Sequence, residues 1–424
     1  MKYSSRYEKS IYTGRPDAVH GQLIIEYEKP NVFKNKRAID NAFEQLVRYI
    51  KGLSEEEKKE LFIYEAKYIG VAFDGDKIFF VRYKGKKEKP KIELEDKDFI
   101  IEGPYDFNIE SAKTFLIHLR GLSRLPLTAD NLCKRFGEKG VASNVIPAFV
   151  NALKYWGNQT QIKTFFDEWK RLFGIVYSEG FNSSYGKGID KFYQVYNVKR
   201  EANFQEILFS IHTYFTFLMK LLTAEILTLR ETSFSSSFIS SLIHFSDEEL
   251  KRKLEEIEDG SIYAQKGITN FLEGDFFRWY LSALDSPELK DAIREIARGL
   301  EEFEPATNII EPNLTRDLLK KLYQYLVPKE IRHNLGEYYT PDWLAELLLN
   351  EVGYDGNLNK RLLDPACGSG TFLVLAIQRA IKYGKEKEKL PDIEIIKRIL
   401  KNIWGFDLNP LAVISARTNY LLSF

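Results

Sequence analysis

Cysteine, methionine and histidine are scarce in this sequence. The 424 residues include two cysteines, two methionines and five histidines. Cys133 and Cys367 lie too far apart to suggest a disulfide framework or a zinc cluster, and such low cysteine use suits a reducing cytoplasm. No pair of histidines has the spacing of metal ligands. A small disulfide-stapled fold and a zinc module are therefore excluded.

Excess charge and long apolar runs are lacking as well. The 61 basic and 61 acidic residues cancel, so any contact with nucleic acid must come from local patches. The N-terminus leads into no apolar signal segment, and no stretch looks long enough to span a bilayer. We expect a cytoplasmic protein without a membrane anchor. With 44% hydrophobic residues, the chain is long enough for two or three domains.

One segment near the C-terminal end is typical of a ligand-binding turn. An acidic residue, Asp364, closes an apolar strand-like run and leads into a loop of small residues and then a helix. Gly368 and Gly370 can adopt backbone angles closed to other residues, and the start of the helix offers free N–H groups. Because ligands bind at the carboxyl ends of parallel strands, this segment predicts a cofactor pocket.

The string Asp-Pro-Ala-Cys-Gly-Ser-Gly-Thr-Phe, residues 364–372, resembles motif I of the amino-group DNA methyltransferases, particularly those that methylate adenine N6. Upstream, residues 334–341 (Asn-Leu-Gly-Glu-Tyr-Tyr-Thr-Pro) look like motif X of the same family. Downstream, residues 402–407 (Asn-Ile-Trp-Gly-Phe-Asp) read as a second buried strand that ends in an acid. The three segments stand in the order of that family. The resemblance implies a Rossmann-like sheet and S-adenosylmethionine as cofactor.

The resemblance also implies roles for single residues. It assigns Asp407 to the adenosine ribose, whose hydroxyls an acid at a strand end can accept, and it assigns Asp364 and Gly368 to the methionine side. Locally, Thr340 suits a helix N-cap and Pro341 the first helical position. Trp343, Leu344, Leu347 and Leu348 would then form an apolar helix face. The implied cofactor-binding residues are Tyr339, Thr340, Pro341, Asp364, Pro365, Ala366, Gly368, Gly370, Thr371, Phe372 and Asp407.

Motif IV of this family is not found in the sequence. That motif is Asn or Asp followed by Pro-Pro and an aromatic residue, and it binds the target amino group of a flipped base. No two prolines are adjacent here, and Asn409-Pro410-Leu411 lacks the aromatic residue as well. We interpret Asn409 as the cap of a helix that runs through Ile414 and Tyr420. This polypeptide alone is therefore not expected to methylate DNA; a second polypeptide or a continuation of the chain would supply motif IV and a target-recognition domain.

A second group of acidic residues lies near the N-terminus. Asp17 precedes the strand-like run Gln22–Pro30, in which a period of two puts Glu26 and Glu28 on one face. An Asp at one strand and a Glu on its neighbour can hold Mg²⁺ against a scissile phosphate and lower the pKa of an attacking water. The next helix carries Gln45 and Tyr49 one turn apart.

This group resembles the PD-(D/E)xK nuclease fold with its Gln-x-x-x-Tyr element. The resemblance implies catalytic roles for Asp17, Glu26, Glu28 and Gln45, with Asp17 and Glu26 as metal ligands. Glu28 replaces the usual lysine, so the ability to cleave stays open. A competing frame, Glu65-Ala66-Lys67, has the lysine but follows Gln45 instead of preceding it. Residues 68–83 read as a hairpin with Asp74-Gly75 as its turn.

The middle of the chain reads as helices, among which residues 208–227 are apolar on nearly every face and predict the buried centre. The predicted fold class is α/β plus all-α: a PD-(D/E)xK-type mixed α/β nuclease domain at 1–105, a helical connector at 106–305 and a partial Rossmann-like methyltransferase at 306–424. This layout resembles the single-chain type IIG restriction-modification enzymes, which implies double-stranded DNA as partner. The alternative is a non-catalytic DNA- or cofactor-binding subunit of a multi-protein defence assembly.

Overall fold

The computed structural model describes residues 5–7, 15–20, 23–56, 68–83, 98–109, 111–112, 115, 125–177, 188–231, 237–265, 267–268, 271, 276–304, 318–335, 337 and 339–424. The chain forms two compact units, Met1–Pro126 and Leu127–Phe424. The strand Phe99–Asp106 completes the sheet of the first unit.

The first unit is built on a mixed sheet of six strands. The strands lie in chain order: β1 (Ser5–Tyr7), β2 (Ala18–His20), β3 (Leu23–Tyr27), β4 (Ile69–Phe73), β5 (Lys77–Tyr83) and β6 (Phe99–Asp106). All neighbours are antiparallel except β3 and β4, which are parallel and are joined through helix α1 (Lys36–Glu56). A further short strand, β7, comprises Leu125–Pro126.

The strand period decides which side chains meet α1. Ile24 packs with Leu46 of α1 in the core of one face, whereas Ile25 belongs to a separate core on the other face. Glu26 is buried, and the alternation puts it on the same side as Ile24, toward α1. The strand ends at Tyr27, so Glu28 lies just beyond it, and its backbone N–H donates to the carbonyl of Phe73.

The hairpin predicted at residues 68–83 is confirmed. Strands β4 and β5 pair antiparallel around a turn in which Gly75 has a φ of +89°. The Asp74 carboxylate accepts the N–H groups of Asp76 and Lys77 at 3.0 and 2.7 Å, so the turn is closed by its own side chain. The competing frame at Glu65-Ala66-Lys67 lies outside the described residues.

The second unit begins with a series of helices that pack around one buried helix. Thr128 caps the first, since its hydroxyl accepts the N–H of Asn131 at 3.2 Å. The helices are α2 (Ala129–Phe136), α3 (Ala142–Trp156), α4 (Thr160–Tyr177), α5 (Gly188–Tyr196), α6 (Phe204–Glu231), α7 (Phe238–His244), α8 (Asp247–Glu258), α9 (Ser261–Ala264), the 3₁₀ helix Phe277–Ala283 and α10 (Pro287–Glu301), followed by strand β8 (Phe303–Glu304).

Helix α6 is the buried centre that the apolar run predicts. Among the described residues one helical stretch, Phe204–Thr228, is long and apolar enough to cross a membrane by length and composition, which corrects the expectation that no stretch is. The most apolar part of this helix is wholly buried inside the protein, as in the core helix of a soluble fold. Its length and composition are therefore weak evidence for a membrane span.

The C-terminal part of this unit is a mixed α/β layer. Its elements are α11 (Leu318–Leu326), α12 (Lys329–Asn334), α13 (Asp342–Glu351), β9 (Leu362–Asp364), α14 (Thr371–Tyr383), α15 (Asp392–Asn402), β10 (Ile403–Gly405) and α16 (Pro410–Leu422). The two strands are parallel, with Gly405 opposite Asp364. One side of α16 places Ile414 in the helical core, and another places Ala416 in the core of the α/β layer. Helix α16 therefore ties the two cores together.

Candidate functional site

The carboxyl ends of β9 and β10 bring two carboxylates together. Asp364 is the last residue of β9 and Gly405 the last of β10. The parallel pairing continues for one step, because the Phe406 N–H donates to the Asp364 carbonyl at 2.9 Å. Asp407 follows directly, and its charge is felt at Asp364. The two acids predicted from separate motifs are thus neighbours at one sheet end.

The loop after β9 depends on its glycines. Gly368 and Gly370 have φ values of +53° and +88°, which glycine adopts without strain. A Cβ on Gly370 would lie 3.3 Å from Ala416, whereas one on Gly368 would meet nothing within 4 Å. The amide of Asn419 donates to the Ser369 carbonyl at 2.9 Å and holds the loop against α16. The loop is closely packed at Gly370 and open at Gly368, where a ligand could approach the backbone.

Asp407 already binds backbone groups on both of its oxygens. One accepts the N–H of Gly368 and the other that of Asn409, each at 2.8 Å. Each carboxylate oxygen has a second lone pair, so hydroxyl groups of a ribose could still be accepted. The acid therefore fixes the glycine loop to the end of β10 and retains acceptor capacity. Asn409 caps α16 through the Leu411 N–H at 2.9 Å, as the sequence predicts.

Asp364 is held in an electrostatically unfavourable position. One of its oxygens accepts the Ala366 N–H at 3.2 Å, while the other is buried and has no hydrogen-bond partner within the described part of the chain. Burial raises the pKa of Asp364, and the neighbouring Asp407 raises it further. Because a buried polar atom is normally paired, this oxygen marks a place for a donor or cation from a ligand. Burial and both acids also raise the pKa of Cys367 to about 12, which keeps its thiol neutral.

The segment before α13 lies beside α11. Lys320 of α11 donates to the Thr340 carbonyl at 2.8 Å and lies 3.5 Å from the Asp342 carboxylate. The helix begins at Asp342 with Pro341 in the N-cap position and no side-chain cap, so the predicted cap at Thr340 is wrong by one residue. Gly336 and Tyr338 of the motif lie outside the described residues.

The predicted apolar face of α13 needs correction. The residues that pack inward are Ala345 and Leu349. In contrast, Trp343 is 67% exposed and Leu347 46%. An amphipathic pattern shows that a helix has an apolar side, but in a helix this rich in leucine it does not decide which side packs.

The other residues implied by motif I occupy the loop and the first turn of α14. Pro365 and Ala366 are exposed, Thr371 is the first residue of α14, and Phe372 packs partly into the core of the α/β layer. Motif I did not indicate three further residues that the structure places near this site: Asn419, Lys320 and Gly405. Of these, only Gly405 could have been noticed in the sequence, because a glycine in a strand indicates that another part of the chain packs closely against the backbone. A Cβ on Gly405 would lie 2.6 Å from Leu373.

The first unit brings Asp17, Glu26 and Gln45 together. The Glu26 carboxylate accepts the Asp17 N–H at 3.4 Å, and the Asp17 carboxylate accepts the Tyr27 N–H at 2.7 Å. Gln45 of α1 donates to Glu26 at 2.5 Å and to the Tyr49 hydroxyl at 3.0 Å. We name Asp17, Glu26, Gln45 and Tyr49 the acidic cluster. The fourth predicted residue, Glu28, is half-buried beyond the end of β3.

The acidic cluster has the charge of a cation site. Burial raises the pKa of Glu26 to about 7, and the Asp17 carboxylate adds to this rise. Among the described residues no group of three His, Cys, Asp or Glu side chains could hold a metal ion. Mg²⁺ needs fewer protein ligands, because it commonly binds through one or two carboxylates, waters and a substrate phosphate. The pair Asp17 and Glu26 fits that requirement.

Comparison with known proteins assigns a class to the C-terminal region. Residues 314–423 match the family described as N-6 DNA Methylase, and the match contains all three predicted cofactor segments. The chain therefore carries an N6-adenine DNA methyltransferase domain. This family implies S-adenosylmethionine, and two features fit it: the Asp364 oxygen that has no hydrogen-bond partner in the described part of the chain, and the open backbone at Gly368.

Three curated proteins are similar over parts of this chain. The Adenine-specific methyltransferase PglX of Streptomyces coelicolor is 31% identical over 25% of this chain and 9% of its own length. The Type I restriction enzyme MjaIX methylase subunit of Methanocaldococcus jannaschii is 22% identical over 43% of this chain and 36% of its own length. The corresponding EcoEI methylase subunit of Escherichia coli is 26% identical over 31% and 24%. The matched regions span at most about a third of these relatives.

A solved structure, that of a DrdV–DNA complex, aligns with 99% of this chain and 34% of that chain at 14% identity. The TM-score of this alignment is 0.29, which is too low to support a conclusion about fold or function.

Proposed function

We propose that the C-terminal region binds S-adenosylmethionine and forms the cofactor-binding half of an enzyme that methylates adenine N6 in DNA. The observation that carries this proposal is the pair Asp364 and Asp407 at the ends of two parallel strands, with one oxygen of Asp364 buried and unpaired within the described chain. Ligands of open α/β sheets bind at this end of the strands. The relatives named as methylases support the reaction class.

The chemistry of the cofactor matches the charges of this site. S-adenosylmethionine supplies an electrophilic methyl group and carries positive charge on its sulfonium and amino groups. Two neighbouring carboxylates favour such cations, because the positive charge relieves their mutual repulsion. Asp364 would accept from the methionine amine, and Asp407 would use its remaining lone pairs for the ribose. The backbone at Gly368 is open enough for the ligand to lie against it.

We further propose that a partner, or a continuation of the chain, supplies motif IV and the recognition domain that reads double-stranded DNA. Among the described residues one face of the β9–β10 pair is left exposed, which supports this proposal. Leu363 and Trp404 are opposite each other in the register, and they are 57% and 55% exposed. Parallel sheets are normally covered on both faces, so further elements would bury these side chains.

Calorimetry with S-adenosylmethionine tests the cofactor site. We expect Asp407→Ala to weaken binding at least tenfold, because it removes both the ribose acceptor and the anchor of Gly368. The matched control is Asp392→Ala, which removes an exposed acid at the start of α15 and should leave the affinity unchanged. Equal affinities of wild type and Asp407→Ala would contradict the proposed role.

A second candidate function belongs to the first unit. We propose that the acidic cluster is the centre of a PD-(D/E)xK-type, Mg²⁺-dependent DNA endonuclease, which would make the whole chain similar in layout to type IIG enzymes. The contact of Asp17 with Glu26, and of Gln45 with both Glu26 and Tyr49, supports this proposal. Bound Mg²⁺ would activate water, while Asp17 and Glu26 would hold the ion and Gln45 would orient Glu26.

Nicking of supercoiled plasmid DNA with millimolar Mg²⁺ tests the nuclease. We expect Asp17→Asn to abolish nicking, since the amide keeps an acceptor for the Tyr27 N–H but loses the charge that a metal needs. Asp40→Asn, on the exposed side of α1, is the control and should nick like wild type. If wild-type protein never nicks DNA, the chain is better described as a non-catalytic binding subunit of a defence assembly.

A further inference from the structure

A chain of hydrogen bonds joins the helical core to the segment before α13. Trp169 of α4 donates its indole N–H to Nδ1 of His212 on α6, at 3.3 Å. Nε2 of the same imidazole lies 3.0 Å from the hydroxyl of Tyr323 on α11. That hydroxyl donates to a carboxylate oxygen of Glu337 at 2.9 Å. Four residues from three helices and one loop are therefore linked in series.

The partners fix the direction of these bonds. Indole is only a donor, so Nδ1 of His212 must accept and the ring proton must lie on Nε2. Nε2–H then donates to the Tyr323 oxygen, which leaves the Tyr323 proton for Glu337. Burial lowers the pKa of His212 to about 3, which keeps the ring neutral as this arrangement requires. Every donor in the chain thus points toward the carboxylate.

Helix α11 holds the same loop at a second place. Lys320 lies one turn before Tyr323 on α11 and donates to the Thr340 carbonyl at 2.8 Å. Tyr323 and Lys320 are both buried, and their contacts bracket Tyr339. The aromatic rings of Tyr323 and Tyr339 pack edge to face with centroids 6.4 Å apart. Helix α11 therefore holds Glu337, Tyr339 and Thr340 in place.

We propose that Tyr323 and Lys320, with His212 behind Tyr323, are positioning residues that hold Glu337 and residues 339–341 in the conformation that binds S-adenosylmethionine. The inference rests on the proposed cofactor site. It makes the helical core part of that site, although no residue of α4 or α6 belongs to the sequence motifs. Occupancy of the site should in turn be felt at His212, because coupling between two sites is reciprocal.

Affinity measurements on hydroxyl-deletion variants test the inference. Tyr323→Phe keeps the ring and removes the donor to Glu337, so we expect S-adenosylmethionine to bind about 5- to 10-fold more weakly by calorimetry. Tyr214→Phe is the matched control, since it removes an equally buried hydroxyl that donates to the Phe136 carbonyl. It should bind like wild type while losing similar thermal stability. Equal affinities of both variants would overturn the inference.

A double-mutant cycle shows whether Tyr323 acts through Glu337. We expect Tyr323→Phe to have little further effect on affinity in a Glu337→Ala background, because the donor no longer has its acceptor. Additive losses would contradict the chain of contacts.

Nuclear magnetic resonance of His212 distinguishes a positioning role from a merely structural one, because a merely structural role would not make the imidazole signal respond to the cofactor. The chain has five histidines, so ¹⁵N-histidine labelling produces a simple imidazole spectrum. We expect His212 to be the Nε2–H tautomer and to shift when S-adenosylmethionine is added, and we expect Tyr323→Phe to abolish the shift. A His212 signal unmoved in wild type that binds the cofactor overturns the inference. Wild type that fails to bind at all overturns the proposed function together with it.

Discussion

At the scale of single residues, both candidate sites are built on pairs of neighbouring carboxylates. Asp364 lies beside Asp407, and Glu26 lies beside Asp17; burial and the partner's charge raise the pKa of the half-buried Asp364 and of the buried Glu26. Backbone N–H groups hold these acids in place. Such arrangements lower stability unless a cation or donor binds, which is typical of functional sites.

The acidic cluster predicts a gain of stability when Glu26 is replaced. Its pKa of about 7 lies above the ordinary 4.5, so the native state binds the proton more tightly than the unfolded state does. The loss of folding stability caused by the charged Glu26 carboxylate develops as the pH rises from about 4.5 and is complete above about 7. We expect Glu26→Gln to raise the free energy of unfolding by about 1 to 3 kcal/mol near pH 8. The gain should vanish toward about pH 4.5.

Urea denaturation at several pH values measures this gain, and Mg²⁺ provides its control. Added Mg²⁺ should stabilise wild type and leave Glu26→Gln unchanged, because binding to the native state alone adds stability. A variant that is less stable than wild type near pH 8 would show that Glu26 has a structural role instead.

The motifs predicted that Asp364, Gly368 and Asp407 lie at one site, and the structure places these residues at the same sheet end; their cofactor-binding roles stay predictions. Sequence could not reveal that Asp407 accepts a hydrogen bond from Gly368 or that Asn419 supports the loop. Those contacts depend on how α16 packs, which is a property of the tertiary structure.

At the scale of elements, the short parallel strands and the glycine loop between β9 and α14 are where the motifs predict them. The ends of helices and the faces that they bury were harder to predict from sequence. Helix α13 starts one residue late and buries the side of Ala345. Residues 233–241 are rich in serine, which favours a loop, but α7 (Phe238–His244) begins within this stretch because Ser237 caps it by accepting the Ser240 N–H.

The packing of the glycine loop predicts different effects for two glycines. Gly370 and Gly353 both have positive φ, but a Cβ on Gly370 would lie 3.3 Å from Ala416 while one on Gly353 would meet nothing within 4 Å. We expect Gly353→Ala to cost about 1 kcal/mol of stability from backbone strain alone. Gly370→Ala should cost about 2 kcal/mol or more and also weaken cofactor binding, since the loop must move from α16. Urea denaturation and calorimetry measure the two effects, and similar results for both variants would contradict the close packing.

At the scale of the whole molecule, the structure contains both mixed α/β layers and a helical core, in line with the predicted α/β plus all-α class. Sequence could not show that α16 contributes both to the helical core and to the core of the C-terminal α/β layer, within the compact unit Leu127–Phe424. Contacts between residues distant in the chain, such as the Ser415 hydroxyl and the Met219 sulfur at 3.5 Å, leave no mark on local patterns.

Hydrogen–deuterium exchange with and without S-adenosylmethionine tests most directly the claim that the ends of β9 and β10 form the cofactor site. We expect the strongest protection at residues 339–341, 364–372 and 405–409, where backbone N–H groups such as that of Gly368 would lie against the ligand. Protection centred in the first unit, or unchanged exchange in these three segments at saturating cofactor, would contradict it.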